Sequence, residues 1–350
     1  MNALASTQET TTPVGVRAVL LVNVGTPEAP TVPAVRKYLA EFLNDPRVID
    51  LPTVWRWLLL NLIILPFRPS RSAHAYQQIW TPEGSPLLIN SKAQVEALRA
   101  AMPGTEVELA MSYGKPSMKD ALASLNAKGV KHITLVPMYP QYASATSGGT
   151  VEAWHKLMGQ QVQPPSTSVL PAFHARAEFI AASAERIKET VKSANADHVL
   201  FSFHGLPVRQ LKPYCDTACA DKVVECPALG PQNNDCYRAQ CFATSRALIT
   251  AAGLTPANSS TAFQSRLKGA TWLSPFTDEV VVELAKRGVK RLVVACPSFV
   301  ADCLETLEEI GLRAAETFRA AGGESLTLVP AVNASPQFIS MLAQAVQERP

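Results

Sequence analysis

The chain repeats part of itself, and this repeat limits the possible fold more than any other feature of the sequence. Residues 116–136 align without gaps with residues 275–295, which start 159 positions later. Each copy has the pattern of a helix, then the tripeptide Gly-Val-Lys (129–131 and 288–290), then an apolar run typical of a buried strand. The repeat therefore predicts that the two halves of the chain share one architecture.

Short apolar runs alternate with amphipathic helical patterns in both halves, and residues 21–27 are echoed more loosely by residues 201–207. Uninterrupted apolar strands between helices are typical of parallel sheets covered on both faces. We therefore predict two Rossmann-like α/β domains, each a parallel sheet flanked by helices, related by internal duplication. The predicted strands are 18–24, 106–111 and 132–138 in the first domain and 198–203, 261–264 and 292–296 in the second.

The stretch at residues 160–166 is rich in Gln and Pro and predicts the linker between the domains. The first sixteen residues are polar and lack the apolar run of a secretory signal, which predicts a disordered tail. The predicted organisation is a tail at 1–16, an N-terminal domain at 17–163 with an apolar lip at 52–67, a C-terminal domain at 164–330 with a Cys-rich insertion at 212–240, and a closing helix at 331–350.

Composition argues against several classes of protein. The 350 residues carry a net charge of +3 and no block of Lys or Arg, so a nucleic-acid partner is not expected. Without a secretory signal we expect a cytoplasmic location, where the seven Cys residues would stay reduced and form no disulfide framework. Five of them fall between Cys215 and Cys241, and such clustered thiols indicate metal or redox chemistry.

The apolar stretch at residues 54–67 is open to two interpretations. It contains Arg56, Asn61 and Pro66 and is shorter than the roughly 20 apolar residues that span a bilayer. It is either a buried helix or an exposed lip that contacts a membrane or a flat apolar ligand. Its Trp residues favour the lip, and with it peripheral contact with the inner membrane.

Reactive side chains follow two of the predicted strands. His204 comes after one strand, and Asp302, Glu305 and Glu309 come after another, at a spacing that puts three carboxylates on one face of a helix. In open α/β sheets the ligand lies beyond the carboxyl ends of the strands. A neutral imidazole facing carboxylates suits the joint transfer of a divalent metal ion and protons. The alternatives are a core histidine and a solvated helix face.

Several motifs in the same order carry a family resemblance. Phe201-Ser-Phe-His-Gly-Leu-Pro207 and Asp302-Cys-Leu-Glu-Thr-Leu-Glu-Glu309 resemble segments of ferrochelatases, which insert ferrous iron into a porphyrin to make haem. The likeness covers nearly the whole chain. It also includes Gly84-Ser-Pro86, Tyr139-Pro-Gln-Tyr-Ala-Ser-Ala-Thr146, Gln264-Ser-Arg266 and residues 272–278. The resemblance implies a lyase of haem biosynthesis with porphyrin and Fe(II) as substrates.

The resemblance implies roles for the residues after the two strands. His204 would be the active-site histidine, either proton acceptor or metal ligand, with Glu305 opposite it across the porphyrin. Asp302, Cys303 and Glu309 would continue a path for metal or protons. Many relatives have a second His where this chain has Cys303, so Cys303 either joins the path or fills space as most free Cys residues do.

The resemblance also implies a porphyrin grip of aromatic and hydroxyl side chains, with an arginine near the propionates. The residues concerned are Arg68, Tyr76, Ser85, Tyr113, Trp272 and Phe299. A guanidinium suits a carboxylate because its N–H groups match both oxygens. Some relatives carry Arg just before the Tyr113 position, where this chain has Ser112, and each aromatic could instead belong to the core.

Four Cys residues lie in a segment that resembles an insertion, because shorter ferrochelatases have far fewer residues there. Cys215, Cys219, Cys226 and Cys236 have the spacing C-x3-C-x6-C-x9-C, and some family members hold a [2Fe–2S] cluster. We predict such a cluster on these four residues, with a structural or redox-sensing role. A tetrahedral zinc site and four unliganded thiols are the alternatives.

The sequence thus predicts ferrochelatase activity, in which protoporphyrin IX or a related porphyrin and Fe(II) give haem and two protons. Two alternatives would use the same fold. One is a chelatase that inserts another metal, such as cobalt, into another tetrapyrrole. The other is a haem- or Fe–S-binding sensor without turnover, which the presence of both His204 and Glu305 argues against.

Overall fold

Two four-stranded parallel sheets organise the chain in the computed structural model, which describes residues 16–211, 225–266 and 270–349. The first sheet has the order β2-β1-β3-β4 and the second the order β6-β5-β7-β8. The strands are β1 (Arg17–Thr26), β2 (Glu106–Gly114), β3 (His132–Pro137), β4 (Ser166–Val169), β5 (His198–His204), β6 (Ser259–Gln264), β7 (Arg291–Ala295) and β8 (Ser325–Leu328). The shared strand order confirms two duplicated α/β halves. Residues 1–15 of the predicted tail lie outside the described residues.

Helices pack on both sheets. In the first half they are α1 (Val32–Leu43), α2 (Thr53–Leu58), α3 (Leu65–Ile79), α4 (Pro86–Ala101), α5 (Met118–Ala127) and α6 (Gly149–Met158). In the second half they are α7 (Ala177–Ala194), α8 (Tyr237–Ala252), α9 (Thr277–Lys286), α10 (Leu304–Thr306), α11 (Ala315–Ala320) and α12 (Pro336–Gln347). Three π-helical segments, Leu59–Ile64, Ser144–Gly148 and Leu307–Ala314, and a 3₁₀ turn, Val208–Gln210, complete the described elements.

The central strands are buried on both faces, which explains their uninterrupted apolar sequences. In β1, Val19 and Leu21 belong to one core cluster, while Leu20 belongs to another on the opposite face. Full burial of such a side chain contributes roughly 1.5–3 kcal/mol. The first cluster also contains Phe201 and Phe203 of β5, so a common core joins the two halves.

The repeated sequence forms the same turn in both halves. The N–H of Met111 in β2 donates to the carbonyl oxygen of Pro116 at 2.7 Å, and the N–H of Phe263 in β6 donates to that of Pro275 at 2.8 Å. Both turns lead into equivalent helices, α5 and α9. The predicted duplication is therefore present in the hydrogen bonds as well as in the sequence.

Strand β4 corrects the predicted domain limit. Residues 166–169 pair in parallel with β3, so they belong to the first sheet, although the predicted C-terminal domain began at residue 164. The strand reads Ser-Thr-Ser-Val and none of its residues is fully buried. Its sequence therefore lacks the apolar run by which six other strands were recognised, and β8, which was also not predicted, likewise has no fully buried residue.

The apolar stretch at residues 54–67 is an exposed lip formed by α2, the π-helical segment Leu59–Ile64 and the start of α3. Leu60 and Arg56 face inward and are buried. The large exposed side chains are Val54, Trp55, Trp57, Leu62, Ile63 and Phe67. The interpretation as a wholly buried helix is therefore wrong. In the part of the chain that the structure describes, no helix is long and apolar enough to cross a membrane.

Candidate active site

Strands β5, β6 and β7 bring three segments together at one edge of the second sheet. His204 is the last residue of β5, Gln264 is the last residue of β6, and the loop after β7 leads into α10. Neighbouring parallel strands end at the same edge, which is where ligands of open α/β sheets bind. The predicted catalytic residues His204 and Glu305 therefore lie on segments that meet at this edge.

The His204 imidazole is held in one tautomer. Its Nδ1 atom lies 2.7 Å from the carbonyl oxygen of Gly205. A carbonyl oxygen can only accept, so Nδ1 carries the hydrogen, and in the neutral ring the lone pair is on Nε2. The Phe299 ring packs edge-on against the imidazole, with ring centroids 6.3 Å apart. Nε2 is thus available to accept a proton or to bind a metal ion.

Gly205 has no side chain because its neighbours leave no room for one. A Cβ atom here would lie 2.8 Å from the carbonyl oxygen of Gln264 and 3.4 Å from the Trp272 ring. The Gly205 N–H donates to that same Gln264 oxygen at 2.8 Å. Trp272, predicted as a porphyrin contact, therefore packs against the backbone that holds His204.

Glu305 lies in α10 and faces the space between the two halves. Its main-chain carbonyl accepts a hydrogen bond from Nε2 of Gln264 at 2.8 Å. Burial raises the pKa of Tyr76, in α3 of the first half, and the negative charge of Glu305 raises it further. Glu305 acts in the same direction on Tyr38 of α1, where burial is again the main cause. The carboxylate therefore lies close to the inner wall of the first half.

The predicted single face of three carboxylates is wrong for Asp302. Helix α10 begins at Leu304, so Asp302 precedes it, and the chain continues from Leu307 as a π-helix with a different residue spacing. The Asp302 carboxylate accepts hydrogen bonds from the Asn333 amide at 2.8 Å and the Thr306 hydroxyl at 3.1 Å. These contacts hold the loop before α10 in place.

Glu309 is the second carboxylate at the site. It accepts hydrogen bonds from the main-chain N–H of Ser265 at 2.8 Å and from the Ser265 hydroxyl at 2.6 Å. Burial raises the pKa of Glu309, whereas Ser265 and, more weakly, His204 counteract this shift. Ser265 has a positive φ of 65°, which aims both of its donors at the carboxylate. Glu309 thus lies within electrostatic reach of His204 and Glu305.

Cys303 lies beside Glu305 but is buried, with 4% of its surface exposed. Burial, and then the negative charge of Glu305, raise the pKa of its thiol. Its main-chain N–H donates to the Thr306 hydroxyl at 3.1 Å. A neutral buried thiol is a poor metal ligand, because binding requires the thiolate.

Side chains from the first half form the opposite wall of the site. Ser85 is buried, and its hydroxyl accepts a hydrogen bond from Thr26, at the end of β1, at 2.8 Å. Thr26 also bonds the hydroxyl of Tyr76. The structure therefore brings two of the predicted porphyrin residues, Ser85 and Tyr76, together on Thr26.

Tyr113 and Arg68 lie at other points of this wall. The Tyr113 hydroxyl donates to a carboxylate oxygen of Asp45 at 2.8 Å, and its ring packs edge-on against Phe42. Arg68 is half-buried, and no described carboxylate lies within ion-pair distance of it. Burial lowers the pKa of Arg68, while the charge of Glu305 opposes that shift. Arg68 thus lies within electrostatic reach of Glu305, without a direct ion pair to a described carboxylate.

Sequence reasoning missed Tyr38, Tyr237 and Ser298, which hold the strand ends at the site. The Tyr38 hydroxyl donates to the carbonyl oxygen of Gly25 at 3.0 Å, and that of Tyr237 donates to the carbonyl oxygen of His204 at 2.8 Å. Both tyrosines are buried among apolar residues. No local pattern distinguishes them from core aromatics, so the sequence carried no signal for them.

The Cys-rich segment is described only in part. Cys215 and Cys219 lie outside the described residues, while Cys226 and Cys236 are buried. The guanidinium of Arg238 donates to Sγ of Cys226 at 2.9 Å. Burial raises the pKa of the Cys241 thiol, and Cys236 and Cys226 contribute electrostatically, so the three sulfurs lie near one another. Within the described stretches, no three His, Cys, Asp or Glu side chains are placed to hold a metal ion together.

Comparison with known proteins gives a consistent result over nearly the whole chain. A family model described as ferrochelatase matches residues 16–350. The ferrochelatase of Coxiella burnetii (strain Dugway 5J108-111) is 43% identical over 333 residues, which cover 94% of this chain and 93% of that protein. The ferrochelatase of Legionella pneumophila (strain Lens) is 45% identical over 335 residues, which cover 95% of this chain and 99% of that protein.

Two solved chelatases share the fold. SirB from Bacillus subtilis with Fe3+ superposes with a TM-score of 0.52 at 13% identity, covering 95% of each chain. The sirohydrochlorin chelatase SirB from Bacillus subtilis subspecies spizizenii in complex with cobalt superposes with a TM-score of 0.55 at 12% identity, covering 95% of this chain and 94% of that one. At such identities the likeness establishes the fold alone.

Proposed function

The chain belongs to the ferrochelatase family, and we propose that it carries out the family's reaction with His204 as the proton acceptor. The enzyme is a lyase that inserts Fe(II) into a porphyrin, forming haem and releasing two protons. The reaction needs a flat macrocycle held in a cleft, a base for the pyrrole protons and a weak binding site for the arriving metal. The space between the two halves, where Glu305 interacts electrostatically with Tyr76 and Arg68, would provide all three.

One observation carries the proposal: the Gly205 carbonyl oxygen fixes the His204 tautomer at a distance of 2.7 Å. In the neutral imidazole this bond places the hydrogen on Nδ1, which leaves the Nε2 lone pair to accept a proton. Glu309 lies within electrostatic reach of Glu305 and His204, and the two carboxylates would hold the metal or relay the protons. Asp302, engaged by Asn333, would act as support for this path.

Metal insertion by variants of His204 tests the proposal. We expect His204→Ala to lower kcat by roughly 10²–10⁴-fold, the usual contribution of a positioned acid–base group. The matched control is His198→Gln, at the other end of β5, where the imidazole bonds the Ser260 hydroxyl at 2.9 Å. The assay follows the absorption of protoporphyrin after anaerobic addition of Fe(II). Turnover of His204→Ala within a few-fold of wild type, or a preference for Co(II) over Fe(II), would contradict the assignment.

We propose that the opposite wall grips the porphyrin through the residues named from the sequence. Arg68 supports this because its half-buried charge has no described ion-pair partner, which suits a propionate. The first half also offers a rigid surface, because hydrogen bonds hold the side chains of Ser85, Tyr76 and Tyr113 in place. Trp272 and Phe299 would line the same cleft beside His204.

We further propose that Cys215, Cys219, Cys226 and Cys236 hold a [2Fe–2S] cluster. The described residues fit this group, because Cys226 and Cys236 are buried and a guanidinium donates to the Cys226 sulfur. Such a donor stabilises the negative charge of a cluster thiolate. When bound, the cluster would supply a redox-active cross-link for the segment that follows His204.

Metal and sulfide analysis of the purified protein tests the cluster. We expect two iron atoms and two acid-labile sulfides per chain and a coloured protein, both lost in Cys226→Ser. Cys241→Ser is the matched control, because its sulfur lies near the others but is not in the proposed ligand set. A colourless protein with one zinc ion per chain and no acid-labile sulfide would contradict the cluster and indicate a zinc site.

We propose that the exposed lip contacts a membrane surface, which would place a cytoplasmic enzyme at the inner membrane. Six large apolar side chains are exposed there within residues 54–67, and single-sided exposure of this kind is typical of interfacial segments. Ile63→Asp should then weaken binding to phospholipid vesicles. Val162→Asp is the control, since Val162 is exposed far from the lip in sequence. Equal binding of both variants would rule out the lip as the contact.

A further inference from the structure

A closed ring of hydrogen bonds surrounds the main chain of His204. The Tyr237 hydroxyl lies 2.8 Å from the His204 carbonyl oxygen and 3.2 Å from the Ser298 hydroxyl. The His204 N–H lies 3.4 Å from the same Ser298 hydroxyl. Three residues from α8, β5 and the loop after β7 therefore meet at the backbone of the catalytic histidine.

The direction of each bond follows from the groups involved. The His204 carbonyl can only accept, so the single hydrogen of the Tyr237 hydroxyl points to it. Ser298 must then donate its own hydrogen to the Tyr237 oxygen, while its oxygen accepts from the His204 N–H. Each hydroxyl donates and accepts once within the ring, and bonds linked in this way strengthen one another.

The end of the β5–β7 pairing explains why side chains are needed here. The pairing of β5 with β7 stops at Phe201 and Ala295, three residues before His204. Buried main-chain N–H and C=O groups must find partners, and here the strand ladder no longer supplies them on the β7 side. Ser298 and Tyr237 take the place of the missing strand neighbour.

Tyr237 is a rigid donor for this task. It is the first residue of α8 and is 6% exposed, with its ring in the core cluster that joins the two halves. Further along the first turns of α8, Gln240 accepts a hydrogen bond from the N–H of Tyr142 at 2.7 Å. The start of α8 is therefore held by both halves of the protein, and Tyr237 transmits that position to His204.

We infer that Tyr237 is a positioning residue for His204 in the proposed reaction. Its hydroxyl and that of Ser298 fix the peptide of His204, and thereby the Gly205 carbonyl that holds Nδ1–H. Tyr237 approaches from behind the strand end and contacts the backbone, so it acts through His204 and does not serve as a second base. The inference rests on the proposed role of His204.

Kinetics of Tyr237→Phe test the inference, because the change removes the hydroxyl and keeps the ring. We expect kcat to fall roughly tenfold or more, since small misplacements of a catalytic group are costly, with the porphyrin KM within twofold of wild type. Ser245→Ala is the matched control. It removes another buried hydroxyl of α8, bonded to Thr261 at 2.9 Å, that has no contact with His204. It should leave kcat unchanged.

A spectroscopic measurement separates positioning from general stability. In protein labelled with ¹⁵N-histidine, the wild-type His204 signal should show a single Nδ1–H tautomer, assigned by its loss in His204→Ala. Tyr237→Phe should show a mixture of tautomers or a broadened signal, while Ser245→Ala should not. An unchanged His204 signal in folded Tyr237→Phe would overturn the inference, even if its melting temperature fell.

A double-mutant cycle with Ser298 tests whether the ring acts as a unit. If it does, Ser298→Ala should lower kcat by a similar factor and the double variant by little more than either single change. Fully multiplicative losses would refute a shared ring. The proposed reaction fails separately, in His204→Ala. If that variant is inactive while Tyr237→Phe turns over like wild type, only the positioning role is wrong.

Discussion

The carboxyl ends of β1 and β5 have equivalent places in the duplicated fold and share two structural devices. The first is a glycine at each strand end, at the point where the main chain of the neighbouring strand comes close. A Cβ on Gly25 would lie 1.9 Å from the carbonyl oxygen of Tyr113, and a Cβ on Gly205 would lie 2.8 Å from that of Gln264. A buried tyrosine hydroxyl also donates to a strand-end carbonyl oxygen in each half.

The two ends differ in the side chain that this shared backbone presents. The looser sequence echo puts Val24 of β1 where β5 has His204. The β1 end continues with Thr26, which bonds Ser85 in the wall that is proposed to grip the porphyrin. The β5 end presents an imidazole within electrostatic reach of Glu309. The comparison indicates that the duplication supplied one backbone twice, and that the proposed chemistry uses a histidine present in only one copy.

Alanine at the two glycines should separate the scaffold from the chemistry. Gly25→Ala should lower the free energy of unfolding by about 3 kcal/mol or more, because it adds a backbone clash to an unfavourable φ of 114°. Gly205→Ala should cost about 1–3 kcal/mol but abolish most of the activity, because the Gly205 carbonyl holds His204. Denaturant unfolding and metal insertion measure the two effects.

Gly84→Ala controls for backbone strain alone. Gly84 has a φ of 123°, and a Cβ there would meet no atom within 4 Å. If Gly84→Ala destabilised the protein as much as Gly25→Ala, close approach to Tyr113 would not be the reason for the glycine. If Gly205→Ala kept the wild-type kcat, the close main-chain approach at the β5 end would not be needed to hold His204.

Glu309→Gln should show how much the buried acid near the β5 end lowers the stability of the fold at neutral pH. Burial raises the folded-state pKa of Glu309 above its usual value of 4.5, so ionisation opposes folding at neutral pH. Gln mimics the protonated acid, so the variant should melt at a higher temperature than wild type at pH 7. Its kcat should fall about tenfold or more if Glu309 relays protons.

The pH dependence of the melting-temperature difference between Glu309→Gln and wild type checks this explanation. Below about pH 4.5 the acid is protonated in both the folded and the unfolded state, so the melting temperatures of wild type and Glu309→Gln should converge. A stability difference that stayed constant or grew on acidification would show that the carboxylate is not the cause. Asp302→Asn should instead lower the melting temperature at pH 7, since the Asp302 carboxylate accepts hydrogen bonds from Asn333 and Thr306.

Tyr38→Phe should give the smallest effect and completes the comparison. It removes the hydroxyl bond to the Gly25 carbonyl and should cost about 1 kcal/mol of unfolding free energy, the usual value of one hydrogen bond. Because Tyr38 bonds the β1 end, while Tyr237 bonds the main chain of His204, the tautomer signal of His204 should stay as in wild type. A change in that signal as large as in Tyr237→Phe would break the proposed division between the two ends.

Much of the fold could be predicted from the sequence because its causes are local. Strands buried on both faces need continuous apolar runs, and β1 and β5 have them. The short edge strand β4 escaped detection because it is half exposed. The lip at residues 54–67 could not be assigned from hydropathy, since only packing of Leu60 and Arg56 shows which face points inward.

The roles of His204 and Glu305 stay predictions. His204 could be named because it ends a strand at the carboxyl edge of a parallel sheet, where ligands bind, and Glu305 because its segment resembles that of ferrochelatases. The position of Asp302 could not, because a helix start at Leu304 and a π-helix after it change which side chains share a face. Nothing in the local sequence distinguishes Tyr237 from a core aromatic residue.

By itself, the sequence determined the duplicated α/β architecture, the histidine after one strand and the clustered thiols, because each depends on residues close together in the chain. Only the tertiary structure decided the tautomer of His204 and the donors that hold its backbone. Tyr237 and Ser298 are 33 and 94 positions from His204 and reach it only after β5, β7 and α8 have packed. Hydrogen bonds need distances near 3 Å, and across such separations only a packed core can set them.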